Sequence, residues 1–135
     1  MFAPEQASCH FCPSTTQTLR HFLVTCPLAR QIWSDFRTIF HLPTAVSLRQ
    51  ALFSWSTGNS RFLGREHGYR LQAGHAVALH ILWVAHCKAV YNGTPASLAA
   101  VSNQFRALLR RHFTTLAASR HAARLGDLSP ILTRL

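Results

Sequence analysis

The chain has 135 residues, 48% hydrophobic and 13% charged, which is long enough for a modest core and too apolar for a disordered basic tail. Lys and Arg total 14 against 4 Asp and Glu, a formal charge of +10. The four acids, Glu5, Asp35, Glu66 and Asp127, lie far apart in sequence, which argues against two-metal phosphoryl chemistry and against a carboxylate-pair glycosidase.

Lys88 is the only lysine, and the remaining basic residues are arginines. Arginine offers a planar fork that matches phosphate, so the balance points to a polyanionic partner. Residues 1–8 lack the charged start and apolar run of a secretory signal. The expected location is therefore intracellular, nuclear or cytoplasmic, and not secreted. Cysteines in that setting read as thiols or metal ligands before disulfides.

Three of the four cysteines fall in the pattern Cys9-x2-Cys12-x8-His21-x4-Cys26. Thiolate and imidazole are the ligands zinc prefers, and four of them close a tetrahedral structural site. A two-residue spacer lets both cysteines of a tight turn point at one ion. His10 lies between the first two cysteines and competes with His21 as a ligand. The His-x4-Cys half is similar to the second half of a nucleic-acid-binding zinc knuckle, although the loop before it is longer. Cys87 stands apart and reads as a small buried hydrophobe.

Residues 9–33, CHFCPSTTQTLRHFLVTCPLARQIW, resemble the zinc-binding domain that follows the reverse transcriptase in non-LTR, LINE-like retrotransposons. Cys9, Cys12, Thr18, His21, Phe22, Leu23, Cys26, Ala29 and Trp33 match that family's pattern, while Gln17 stands where Glu is usual. A second stretch, Leu82 to Gly93, resembles the family's later helix, with His86 in place of the usual Arg. The resemblance selects His21 over His10. It implies one structural zinc on Cys9, Cys12, His21 and Cys26, and a role in holding element RNA or target DNA beside a polymerase. No Tyr-x-Asp-Asp polymerase motif is present and Met1 lies close to the first ligand, so the chain reads as a fragment or decayed copy of a longer polyprotein.

Local patterning gives an all-α fold with an N-terminal CCHC zinc knuckle. Thr18 is an N-cap for a short helix from Leu19 to Thr25, with His21 in its first turn. Pro27 ends that helix at Cys26 and opens the next, on which Leu28, Ile32, Phe36, Ile39 and Phe40 follow helical spacing. Trp33 widens that apolar face and reads as core. Ser47-x-x-Gln50 is a capping box for a short helix to about Trp55, and residues 56–68 read as a loop. A long helix is expected from about Tyr69 to Tyr91, stopped by Asn92-Gly93. Within it, Leu71 to Cys87 carries no charged residue, but the stretch is interrupted by Gln72, His75, His80 and His86. It reads as a buried helix and not a membrane span, which needs about 20 mostly apolar residues.

Thr94 and Pro95 are expected to open a last helix running to about Arg124, with Gly126 as its stop and a short tail from Ser129-Pro130. The expected division is 1–93 for the zinc-binding domain, with the knuckle at 9–26, and 94–135 for a basic helix and tail packed on the same core. On that last helix, Leu98, Val101, Phe105, Leu108, Leu109, His112 and Leu116 share one arc, while Arg106, Arg110, Arg120 and Arg124 share another with Phe113 among them. The second arc reads either as a solvated face or as a phosphate-tracking stripe with a stacking Phe. Arg20 and Arg30 flank the ligands and are expected to contribute to backbone contacts.

His75 and His80 are five apart and do not share a helical face as ligands would, and His112 and His121 lack Cys or acid partners. Three Cys and one His fill every zinc position, which leaves none for a catalytic water, and no nucleophile signature appears. The expectation is a non-enzymatic module binding RNA or DNA without base specificity, with no membrane and no small-molecule substrate. The rivals are a zinc-stapled protein-interaction module and a retroelement remnant without function.

Overall fold

A computed structural model describes residues 8–12, 16–42 and 64–135, with backbone alone at 64–67. The described residues are mostly helical and contain no strand, so the fold is all-α. A single antiparallel bridge, Ser8 to Thr16, precedes a π-helical turn at His21–Thr25. Four-residue and longer helices follow: α1 (Pro27–Phe40), α2 (Gly64–Asn92), α3 (Leu98–Ala117), α4 (Ala122–Leu125) and α5 (Ser129–Leu132). The capping box at Ser47 and the helix expected to Trp55 lie outside the described residues, as do residues 56–63.

α1 begins where the sequence places it. Cys26 is extended (φ −59°, ψ 138°) because the following proline disfavours helical geometry, and Pro27 occupies the first turn, where its missing N–H costs nothing. α1 buries Leu28, Ile32, Trp33, Phe36, Ile39 and Phe40 on one face. Its aromatic rings run in file: Trp33 to Phe36 at 5.7 Å, Phe36 to Phe40 at 4.6 Å, and Phe40 to Phe113 of α3 at 5.9 Å. α2 crosses this file at Gly74, which has no side chain to intrude. A Cβ there would collide with the Phe40 ring and stand 3.0 Å from Phe36 Cε2. The His75 ring stacks on Trp33 at 5.4 Å, and burial holds its pKa below the usual histidine value.

α2 starts at Gly64, five residues before the expected Tyr69, so part of the expected loop is helix. Its end is as expected: Gly93 adopts φ +71°, and its N–H bonds Ala89 O at 2.9 Å. α3 departs at both ends. It is capped by Ser97, whose hydroxyl accepts from the Ala100 N–H at 3.1 Å, and Thr94 and Pro95 stay outside it. It stops at Ala117, seven residues short of Arg124. The Ser119 hydroxyl donates to the Leu116 carbonyl at 2.7 Å, and the chain turns into α4 so that Leu125 reaches the core. Arg70 of α2 fixes that turn by donating to the Leu125 carbonyl. The buried face of α3 is Val101, Phe105, Leu109 and Phe113, rotated from the expected arc: Phe113 is fully buried and His112 is exposed. Phe113 is therefore not a stacking platform. Cys87 is half-buried rather than buried.

A polar lattice ties α1 to α3 and the tail. Asp35 of α1 is buried and accepts from Gln31 at 3.2 Å, from the Ser102 hydroxyl, and from Arg106 at 3.3 Å. Arg106 also donates to the Arg134 carbonyl at 3.1 Å, and Arg134 donates to the Ile39 carbonyl at 2.9 Å in the last turn of α1. Removing a partner from such a network leaves a desolvated group unmatched.

Gly74→Ala should lower stability by about 1–3 kcal/mol through overpacking, and Arg106→Gln by about 1–3 kcal/mol through the stranded Asp35. Chemical denaturation measures both. A neutral buried His75 stabilises the fold fully above the unfolded-state pKa of about 6.5 and loses that contribution as pH falls below it. His75→Phe, which keeps a ring on Trp33, should flatten the fall in thermal midpoint between neutral pH and mild acid.

Candidate metal centre

Cys9, Cys12, His21 and Cys26 converge. Their ligand atoms all lie within 4.8 Å of one another, close enough to hold a single metal ion. Cys9 Sγ and Cys26 Sγ stand 3.7 Å apart, and Cys12 Sγ lies 2.9 Å from His21 Nε2. Two sulfurs bound at ~2.3 Å to one tetrahedral ion would be ~3.8 Å apart. His10 is exposed and outside the group, so His21 is the imidazole that the fold presents.

Each side chain is placed by local structure. The bridge from Ser8 to Thr16 brackets the Cys-x2-Cys turn, and the Phe11 N–H points to Cys9 Sγ at 3.4 Å. The Thr18 hydroxyl accepts from the His21 N–H at 3.0 Å, an N-cap contact that starts the turn as the sequence indicated. Within the turn, Thr25 Oγ1 lies 3.1 Å from His21 Nδ1 and so orients the ring with Nε2 toward the sulfurs. Thr25 was not singled out from the sequence, although its spacing of four from His21 on one helical face is the signal. The Cys26 N–H closes the turn on the His21 carbonyl at 2.8 Å.

Cys9 and Cys26 are buried, and Cys12 is half-buried. Burial foremost, with the neighbouring Cys9 thiol adding to it, pushes the Cys26 thiol up to about 12. A cation among these atoms reverses that preference, because only the thiolate is a ligand.

The group is pinned to the helices by aromatic contacts. Phe22 meets His86 of α2 edge-on at 4.5 Å and Trp83 at 6.3 Å, and Phe11 lies 5.0 Å from His86. His86 donates from Nδ1 to the Leu82 carbonyl at 2.9 Å. Trp33 of α1 donates from Nε1 to the Leu23 carbonyl at 2.6 Å.

The arginines divide. Arg20, next in sequence to His21, and Arg30, one turn after Cys26, are exposed, and the Arg30 N–H bonds Cys26 O at 2.9 Å. Arg110 is exposed on α3, beside an exposed Arg111 that the sequence reading passed over. Arg120 lies exposed in the turn after α3, near His121, and Arg124 is exposed in α4. They do not form one stripe with Arg106, because α3 ends before the last two. Arg106 is part of the Asp35 lattice and is not a free cation.

Comparison with family models, with curated proteins and with solved structures finds no match for this chain. No described helix is long and apolar enough to cross a membrane.

Titration with Zn2+ should saturate near one ion per chain, and Cys12→Ala should weaken uptake sharply; a variant with undiminished uptake would exclude Cys12 as a ligand. Log affinity should rise with pH by about one unit per pH unit for each thiol that loses its proton on binding. Chelation should loosen the segment up to Cys26 while leaving most of the helical circular dichroism, since α1, α2 and α3 bury long apolar faces of their own.

Proposed function

We propose that the chain is a zinc-stapled, non-enzymatic module that holds RNA or DNA by its backbone, derived from the region after a non-LTR retrotransposon reverse transcriptase. The observation that carries this reading is the four-ligand group flanked by exposed Arg20 and Arg30, on a chain of charge +10. Three sulfurs and one imidazole suit zinc and are poor ligands for hard cations such as Mg2+ or Ca2+. Zinc filled by four protein ligands has no position for a catalytic water, so its contribution is rigidity.

The described acidic side chains leave the net charge strongly positive. Asp35 is taken up by Ser102 and Arg106, and Asp127 accepts from the Ser129 N–H at 3.0 Å, which together with the Ser129 hydroxyl holds its pKa below the usual value. Arg20, Arg30, Arg110, Arg120 and Arg124 are exposed and compose the proposed phosphate-contacting set. Arg106 leaves the set for the reason given above. Phosphate contacts position a nucleic acid without reading its bases, which fits binding without sequence preference.

Log affinity for an oligonucleotide should fall linearly with log salt, by about 0.7–0.9 per phosphate contacted. Replacing Arg20, Arg30, Arg110, Arg120 and Arg124 together by Gln should flatten that slope and weaken all sequences alike. An unchanged slope would assign these arginines to a merely solvated surface.

A further inference from the structure

We propose that the outward face of α2, centred on Trp83, is a stacking surface for the unpaired bases of a single-stranded nucleic acid, an inference that rests on the nucleic-acid function above. Trp83 is 58% exposed, Val90 49% and Tyr69 43%. At 100° per residue, Tyr69, Ala76, Trp83, Cys87 and Val90 fall within an arc of about 60° along the helix. Among the charged residues of α2 whose side chains are described, neither lies on this arc: Arg70 is turned to the Leu125 carbonyl, and Lys88 projects from a different side of the helix. What the described side chains of this arc offer a polyanion is ring and aliphatic area.

Trp83 does not dangle. Its ring meets Phe22 edge-on, with planes 89° apart, so it stands where α2 joins the metal-ligating segment. Leu19, 74% exposed, and exposed Arg20 lie in the same turn as Phe22 and carry apolar area and charge to that junction. An indole held by one edge, with most of its area in water, is a platform for a flat partner. A duplex keeps its base faces stacked internally, whereas a single strand presents them, and base–aromatic stacking tolerates any sequence. Charge complementarity selects the occupant: a chain of +10 attracts a polyanion and repels a second copy of itself.

The test compares full-length, metal-loaded parent, Trp83→Ala and Trp83→Phe on labelled single-stranded and duplex DNA of equal length at one salt concentration. Zinc content and circular dichroism report whether each variant is folded. The parent should favour the single strand. Trp83→Ala should lose roughly tenfold in single-strand affinity with duplex affinity unchanged, and Trp83→Phe should recover most of the loss. Equal losses on both ligands, or equal parent affinity for both, would overturn stacking while leaving backbone binding intact. No binding to either would overturn both readings. Trp83-dependent capture of a Glu-rich amphipathic peptide, without any oligonucleotide effect, would make the face a protein-docking surface and overturn the proposal.

Discussion

Cys26 belongs to two structures at once, and the rest of the molecule hangs from that coincidence. Its sulfur is buried in the four-ligand group, and its backbone is the extended corner from which Pro27 launches α1. The ligand group therefore cannot shift without moving the helix that carries Trp33, Phe36 and Phe40. A buried group of thiols has little to gain from solvent and no internal counter-charge. A cation would make the burial favourable, turning metal binding into folding energy for the corner and for the contacts that follow.

The coupling runs outward through rings. Phe22 sits one residue after ligand His21 and reaches His86 and Trp83 on α2, while Trp33 ties α1 back to the turn through the Leu23 carbonyl. The file Trp33, Phe36, Phe40 and Phe113 then joins α1 to α3, and Gly74 lets α2 close on it. These contacts are what hold Arg20 and Arg30 beside the ligands and leave the Trp83 face turned outward. The Asp35 lattice finishes the assembly by consuming Arg106 and Arg134, cations that composition alone counts as surface charge.

The candidate ligands were legible from spacing, because covalent distance dominates there. Two cysteines three positions apart, and a histidine in a turn that Pro27 must end at Cys26, have few ways to avoid meeting. α1 was legible for a similar reason, since a proline start and an uninterrupted apolar face are local signals. The choice of His21 over His10 drew on the resemblance, and the fold agrees because Thr18 and Thr25 orient His21 while His10 stays in solvent.

The C-terminal third was less legible, and the reason is competition between helix propensity and burial. Nothing in Ala117 to His121 forbids a helix, and a continuous one to Arg124 satisfies local chemistry. A continuous helix would carry Leu125 and Leu128 away from the core, so the chain breaks and Arg70, far away in sequence, holds the break. Rotation of α3 follows from the same source: Phe113 turns inward because Phe40 is there to meet it, and His112 is left in water. The sequence by itself determined the helical class, the four candidate ligands and the start of α1, where neighbours in the chain act on one another. Tertiary structure alone decided which arginines are free, where α3 ends and which aromatic faces solvent, because those depend on partners that only packing brings into contact.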